Sequence, residues 1–417
     1  HEGGRKADDG SRRTEDGGRR LADRFSSPGL FVSNHNEPVT NKLPRVARGF
    51  LTRATSGVDA EWSRLNNLTA SVAFSHHLGG VFPPELYQEH PEFFPLVDGR
   101  RLRPPSKGPL FWNPDLGRED VALYAAEAAR RQFVVHPEQK SFSLGNNDGL
   151  IFGESPELLV LATPQRWFRE RPDYSNLVFT FMNRAADELS RTHPDKYLGA
   201  LAYYWAENAP DFRLNPQVVP FLTADRSQGY DPKFWKEEMD LQERWARAAG
   251  VRRQTADGSG RRAEVGTESL GRRAESRTIA DGRERKTDTA PELSDDGSRV
   301  LDSDAQTPNL KPQTPNPRPK TQPPPRRLGL YDYLYGGGFL IPRIHTKLLA
   351  ENLRHARRAG FTDYYAEIYP NWGLDGPMPW LTAQLLQDPE QPADELLDEY
   401  YRRYFKEAAE PMRRFFE

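Results

Sequence analysis

The stretch Asp363–Trp380 reads DYYAEIYPNWGLDGPMPW and decides the predicted fold. Its first half alternates aromatic and apolar residues, which is typical of a buried strand. Pro370 and the glycines that follow it predict an irregular loop. The strand brings Glu367 to its end among aromatic rings, which is how a sugar-cleaving barrel presents an acid or base. The alternative is a structural glutamate that caps a helix or pairs with an arginine.

The length and composition of the chain exclude several classes of protein and of functional site. A chain of 417 residues has room for one large α/β barrel and additional segments. The net charge of −2 indicates neither a nucleic-acid partner nor an anionic membrane surface, and no apolar run approaches the roughly 20 residues that insertion into a bilayer requires. The absence of cysteine excludes disulfides, thiolate metal sites and a thiol nucleophile. The polar N-terminus lacks the apolar core of a secretory signal, so either the chain is cytoplasmic or its true beginning is absent from the sequence.

Two segments, residues 1–26 and 246–327, are predicted to be disordered. Both are rich in Gly, Arg, Asp and Glu and nearly free of large apolar side chains, so burial cannot offset the entropy of ordering them. Both contain Arg-Arg and Asp-Gly dipeptides among acidic residues, which suggests that one repeat was inserted twice. The second segment ends in a proline-rich tract. Residues 27–245 are therefore predicted to form the first part of the barrel. Residues 328–417 are predicted to form its last strands and the C-terminal helices.

The rest of the sequence alternates short apolar runs with amphipathic helices. Residues 118–132, for example, place acidic residues first and arginines last, in agreement with the helix dipole. About six strands are predicted, and polar residues gather where they end. This order predicts an α/β protein with a (β/α)8-type TIM barrel, incomplete at its N-terminus and interrupted by a long disordered insertion.

Five motifs occur in one order along the chain: HPEFFPLVDGRR, SLGNNDG, YDYLYG, EIYPNWGLDGP and DPEQPADELLDEYYRRYF. Together they resemble an uncharacterised bacterial domain family that is grouped with the glycoside-hydrolase TIM barrels, near the α-glucuronidases and β-hexosaminidases. The resemblance covers roughly residues 60–245 and 328–417. It implies a barrel, a carbohydrate substrate and a periplasmic or secreted location. The family usually follows NDG with a cysteine pair, whereas this chain reads NDGLIFGESPE.

Glycoside cleavage requires two carboxyl groups that flank the scissile bond. The predicted strand ends supply Glu367 and Asp148 as the catalytic pair, with Glu207 and Asp332 in reserve. The alternative for Asp148 is an Asx hydrogen bond that holds its own Asn-Asp-Gly turn.

Further polar and aromatic residues are predicted to contact the substrate. They are His76, His77, Asn146, Asn147, Tyr204, Trp205, Glu207, Asp332, Tyr335 and Trp372. Adjacent histidines in a strand point to opposite faces, so no metal site is predicted from His76 and His77, and no cofactor is predicted at all. Arg343 is a candidate partner for the carboxylate of a uronic acid.

The sequence thus predicts a glycoside hydrolase that acts on a polysaccharide or oligosaccharide, including one that contains uronic acids. Two alternatives remain open: a carbohydrate-binding protein without catalytic activity, and an inactive relic on the same barrel. The sugar, the linkage, the stereochemical outcome and the oligomeric state are not fixed by these patterns.

Overall fold

A parallel sheet forms the centre of the computed structural model, which describes residues 49–105, 111–254, 323–334, 343–368 and 372–416. These residues all belong to one compact unit. The strands are β1 (Thr52–Ser56), β2 (Ser141–Ser143), β3 (Tyr197–Ala202), β4 (Val218–Ala224), β5 (Gly329–Tyr333) and β6 (Asp363–Glu367). Their spatial order is β2-β3-β4-β5-β6-β1, and every neighbouring pair is parallel. The carboxyl ends of all six strands therefore lie along one edge of the sheet.

The predicted (β/α)8 barrel is wrong. The described residues form a six-stranded parallel sheet that is curled into a half-barrel, and its edge strands β1 and β2 are not paired with each other. The described residues between them form helices, short helical turns and a small antiparallel hairpin, Leu96–Val97 with Arg100–Arg101, instead of further strands of the sheet. Residues 71–77 run beside β2 without forming a strand, and an isolated bridge joins His76 to Gly145 just beyond the end of β2.

Eleven α-helices accompany the sheet in the described residues, and the outer apolar core packs beneath several of them. They are α1 (Ala60–Leu65), α2 (Leu78–Val81), α3 (Glu119–Val135), α4 (Pro156–Ala162), α5 (Ser175–Ser190), α6 (Pro232–Ala249), α7 (Thr346–Ala359), α8 (Trp372–Asp375), α9 (Pro377–Leu385), α10 (Ala393–Phe405) and α11 (Ala409–Phe416). Their ends follow local chemistry. At the start of α6, the Asp231 side chain accepts a hydrogen bond from the backbone N–H of Lys233, and at its end Gly250 adopts a left-handed conformation with φ of 67°.

The predicted disordered tail 1–26, and most of the predicted insertion 246–327, lie outside the described residues. Helix α6 runs to Ala249, four residues beyond the boundary that the sequence predicted. Residues 323–328 at the other side lead into β5, and Leu328 is fully buried. In the described part of the chain, the helices are too short or too polar to cross a membrane.

Two groups of apolar residues fill the two faces of the sheet. Leu198, Leu222 and Leu330 point outward and belong to the large core that the helices cover. A smaller cluster fills the inner face and includes Phe74, Phe221 and Tyr331. The rings of Phe74 and Phe221 are stacked with their centroids 4.0 Å apart. The concave face of the half-barrel is therefore packed with apolar and aromatic side chains among the described residues.

Glycine permits the close approach of residues 71–77 to the sheet. A Cβ atom at Gly199 in β3 would collide with the backbone oxygen of Ala73. At the upper end of this segment, the backbone N–H of His77 donates to the oxygen of Gly145 over 3.0 Å, and Ser143 donates to the oxygen of Ser75 over 2.6 Å. These contacts fix the position of His76 beside the carboxyl end of β2.

Candidate functional site

Glu367 lies at the carboxyl end of β6, half-buried, with its side chain on the inner face of the sheet. The hydroxyl of Tyr331 on the neighbouring strand donates to its carboxylate over 2.5 Å. Burial and this acceptor raise the pKa of the Tyr331 hydroxyl well above its ordinary value, so the tyrosine keeps the proton that it donates to Glu367. This contact holds the Glu367 carboxylate in one orientation.

Asp148 and His76 form a second polar group, beyond the end of β2. The Nε2 atom of His76 lies 3.9 Å from the Asp148 carboxylate, whose side chain is 68% exposed. The Nδ1 atom of His76 lies 2.5 Å from the backbone oxygen of Asn146. Because a carbonyl only accepts hydrogen bonds, Nδ1 carries a proton, and Nε2 is the nitrogen that faces Asp148.

Three tyrosines connect these two groups, and we call them the tyrosine row: Tyr203, Tyr333 and Tyr331. The ring of His76 lies edge-on to Tyr203 at 5.9 Å. Tyr203 and Tyr333 share a side-chain hydrogen bond, and the rings of Tyr333 and Tyr331 are 5.2 Å apart. Burial raises the pKa of the Tyr203 hydroxyl, and the nearby Asp148 carboxylate acts in the same direction. The structure thus links the two predicted catalytic carboxylates through aromatic rings and protonated hydroxyls.

A cavity of about 860 Å³ opens at this edge of the sheet, and we call it the edge cavity. Tyr203 and Tyr333 contribute to its lining, whereas Glu367 and Asp148 adjoin the tyrosine row outside it. The remaining lining is mostly polar and comprises Arg169, Glu170, Arg171, Tyr204, Glu207, Thr223, Ala224, Asp225, Gln228, Asp231, Lys233, Phe234, Glu237 and Arg343. Aromatic rings beside closely spaced charged groups suit a ligand with many hydroxyls and apolar C–H faces.

Glu207 lines the edge cavity but is held by arginines. Its carboxylate contacts Arg169 and, at 2.5 Å, Arg171, and its side chain is 5% exposed. Burial raises the pKa of Glu207 to about 7, against the opposing effect of Arg169 and Arg171. Arg171 also lies over the ring of Tyr204 at 4.4 Å, so Glu207, Arg171 and Tyr204 form one continuous part of the cavity wall.

Asp332 lies on the other face of the sheet. It is 2% exposed and accepts a hydrogen bond of 2.5 Å from Arg226, which also contacts Glu238 of α6 at 2.8 Å. Glu238 in turn contacts Arg169 at 3.1 Å. Asp332 therefore belongs to a buried network of alternating charges between the sheet and α6, and it does not reach the edge cavity.

The two histidines have different surroundings. His77 turns away from His76 and packs edge-on against Phe142 at 5.4 Å, where burial lowers the pKa of its imidazole. Among the described residues, no group of potential metal ligands is found. His76 alone faces the tyrosine row.

The two asparagines tie loops together. Asn147 is fully buried, and its amide donates to the oxygen of Trp112 at 2.8 Å while its oxygen accepts from Gly79 at 2.9 Å. Asn146 is 2% exposed, supplies the oxygen that His76 contacts, and leaves its own Oδ1 atom buried without a partner. Asn146 therefore supports His76, and Asn147 is structural.

The predicted aromatic contacts are dispersed. Tyr204 lines the edge cavity, whereas Trp205 packs edge-on against Tyr204 at 4.5 Å and against the outer core. Trp372 begins α8 and packs against Trp62 at 5.3 Å. Tyr335 lies outside the described residues.

Sequence reasoning missed several lining residues. Arg169 and Arg171 come from a small hairpin, Arg166–Phe168 with Arg171–Asp173, and Asp225 follows β4. Arg343, predicted as a partner for a substrate carboxylate, contacts Asp225 at 2.5 Å. The arginines alternate with acidic and aromatic residues in sequence, and no local pattern indicates which of them face the cavity.

Comparison with known proteins gives one informative result. A family model described as a domain of unknown function (DUF4838) matches residues 47–251 and 325–417, well over half of the chain. The chain belongs to the DUF4838 family. The match covers every strand of the sheet and all residues that line the edge cavity, so this site is part of the DUF4838 domain itself. No curated protein and no solved structure matches the chain.

Proposed function

We propose that this DUF4838 protein binds a carbohydrate at the carboxyl edge of its half-barrel sheet and cleaves a glycosidic bond there. One observation supports this: the tyrosine row has a carboxylate at each end, Asp148 beside His76 and Glu367 beside Tyr331. Two carboxyl groups are what glycoside hydrolysis requires, and tyrosine rings and hydroxyls suit the C–H faces and hydroxyls of sugars.

The two carboxylates take different roles in this proposal. Glu367, held in one orientation by Tyr331, is suited to act as nucleophile or base. Asp148 is exposed and adjoins His76, whose Nε2 atom faces it, so this group is suited to exchange protons with the leaving sugar and with water. Arg171 and Arg343 line the edge cavity, each in contact with a carboxylate of the wall, and saccharides that contain uronic acids are among the candidate ligands.

The experiment compares the wild type with Glu367→Gln and Asp148→Asn on aryl glycosides and on glucuronoxylan oligosaccharides. Each substitution is expected to reduce kcat by about a thousandfold or more, because it removes an acid–base or nucleophilic group, while thermal unfolding shows that the variant is still folded at the assay temperature. Asp195→Asn is the matched control, since Asp195 is exposed and precedes β3 at the opposite edge of the sheet. Full activity in both site variants would overturn the proposal.

A carbohydrate-binding protein without catalytic activity is the second candidate. The 68% exposure of the Asp148 side chain favours it, because a general acid is normally shielded from water. In that case the wild type binds oligosaccharides and hydrolyses none. Calorimetric titration of the same oligosaccharides in parallel with the activity assay separates the two candidates.

A further inference from the structure

A second cavity, of about 600 Å³, adjoins the edge cavity. It lies between the hairpin that begins at Arg166, the loop after β3 and the second half of α6. We call it the arginine cavity, because four arginines contribute to its lining: Arg166, Arg213, Arg244 and Arg247. Glu237 lines both cavities, so they meet at this side chain.

The carboxylates of this cavity already have partners. Asp211 contacts Arg166 at 3.3 Å, and Glu237 contacts Arg169 at 3.0 Å. In the parts of the chain that the structure describes, no carboxylate lies within ion-pair distance of Arg213, Arg244 or Arg247. These three guanidinium groups therefore carry positive charge into one concave space without a carboxylate in direct contact.

The surroundings of Arg244 show the electrostatic cost of this arrangement. Its guanidinium group lies 5.6 Å from the ring centroid of Phe168 and donates to Asn208 at 3.3 Å. Burial lowers the pKa of Arg244. The carboxylates of Glu237 and Asp240 oppose this effect, and the like charges of Arg247 and Arg169 add to it. A bound anion would relieve this repulsion, and guanidinium groups match the geometry of oxyanions.

We propose that the arginine cavity binds a carboxylate or sulfate group of an acidic oligosaccharide whose neighbouring sugar units occupy the edge cavity. The inference rests on the proposed carbohydrate ligand of the edge cavity. It further specifies that this ligand is acidic and that its anionic group binds in the arginine cavity. The shared wall at Glu237 lets one chain reach both spaces. A single inorganic ion would fill only a small part of the volume.

The test measures binding by calorimetry to the full chain. The probes are an oligogalacturonate hexamer, a sulfated heparin hexasaccharide, neutral cellohexaose and inorganic sulfate. The variant is the double substitution Arg213→Gln and Arg247→Gln, because both side chains belong to exposed residues and their loss spares the core. The matched control is Arg131→Gln with Arg191→Gln, which removes the same charge from exposed positions on α3 and after α5.

We expect the double variant to bind one of the two acidic hexamers at least tenfold more weakly, with unchanged affinity for cellohexaose and a near-wild-type result for the control. The affected hexamer identifies the group as carboxylate or sulfate. Equal affinity of wild type and double variant for both acidic hexamers would overturn the inference, and so would equal weakening in the control, which indicates non-specific attraction. If the carbohydrate proposal itself fails, cellohexaose does not bind and no glycoside is hydrolysed. Retained binding of inorganic sulfate alone would then show an anion site without a sugar.

Discussion

The hydroxyl of Tyr331 on β5 donates a hydrogen bond of 2.5 Å to the carboxylate of Glu367 on β6. Tyr331 is 8% exposed, and Glu367 lies one row nearer the carboxyl edge, opposite Tyr333. The contact therefore joins Tyr331, in the packed inner face of the sheet, to Glu367, the polar side chain at the carboxyl end of the neighbouring strand. It also makes the orientation of Glu367 depend on a residue that does not line the edge cavity.

Replacement of Tyr331 by Phe tests this dependence. A hydrogen bond to a charged group contributes roughly 1.5–3 kcal/mol, so we expect a loss of stability of about that size. If Glu367 is catalytic, kcat falls about tenfold to hundredfold because its carboxylate is no longer oriented, while KM changes little. Denaturant titration and steady-state kinetics measure the two effects. Tyr87→Phe serves as control, since Tyr87 donates to the oxygen of Arg101 at 3.0 Å, away from the site. A change in KM alone would argue that Tyr331 only shapes the binding surface.

Replacement of Arg226 by Met tests the buried network between the sheet and α6. Arg226 is 3% exposed and neutralises both Glu238 and Asp332. Its removal leaves two buried carboxylates without that partner, and breaking such a group typically costs about 3–5 kcal/mol. Urea denaturation is expected to show this loss. The exposed Arg191→Met should change the free energy of unfolding by less than about 0.5 kcal/mol. Retained wild-type stability in Arg226→Met would contradict the importance of the network.

Asp332 and Glu367 show how far the sequence predicts the site. Each lies near the end of an alternating strand, and alternation alone does not reveal which face is concave. The register decides it: Glu367 is opposite Tyr333 on the inner face, whereas Asp332 is opposite Ala366 and faces α6. The strands β5 and β6 and helices such as α5 follow from local periodicity, so they could be predicted. Closure of the sheet into a barrel would require its two edge strands, β1 and β2, to be bridged by further strands. That pairing joins distant segments, and the local sequence of residues 71–77 does not reveal that it is missing in the described residues.

His345 predicts a dependence of stability on pH. It is 4% exposed, precedes α7, and leaves its Nδ1 atom buried without a partner. Burial lowers the pKa of His345 to about 4, and the positive charge of Arg343 acts in the same direction against the weaker opposing effect of Asp225. In the unfolded chain the pKa is near 6.5, so between these values the unfolded state binds the proton and the folded state does not. Stability from this residue is complete above pH 6.5 and is lost as the pH falls towards 4.

The size of this effect follows from the shift. At about 1.36 kcal/mol per pKa unit, the contribution at neutral pH is roughly 3 kcal/mol. The free energy of unfolding, measured from pH 7.5 to 4.5, should fall more steeply in the wild type than in His345→Gln, which has no group to titrate there. His136→Gln is the control, because the side chain of His136 is 46% exposed. Parallel curves for wild type and His345→Gln would show that His345 does not titrate differently on folding.

Gly199→Ala tests whether the half-barrel depends on the close approach of residues 71–77. The added Cβ would meet the backbone oxygen of Ala73, which cannot move aside as a flexible side chain would. Overpacking of this kind typically costs about 1–3 kcal/mol.

The same substitution should also displace His76, three residues after Ala73, and therefore weaken ligand binding at the carboxyl edge. Gly80→Ala is the control, since its Cβ would meet only the ring of His77, at 3.1 Å, and that ring can move. Denaturation and oligosaccharide titration of both variants measure the two effects. If Gly199→Ala loses stability but binds as the wild type does, then His76 is not part of the binding surface. If it loses neither, the segment does not depend on this contact with the sheet.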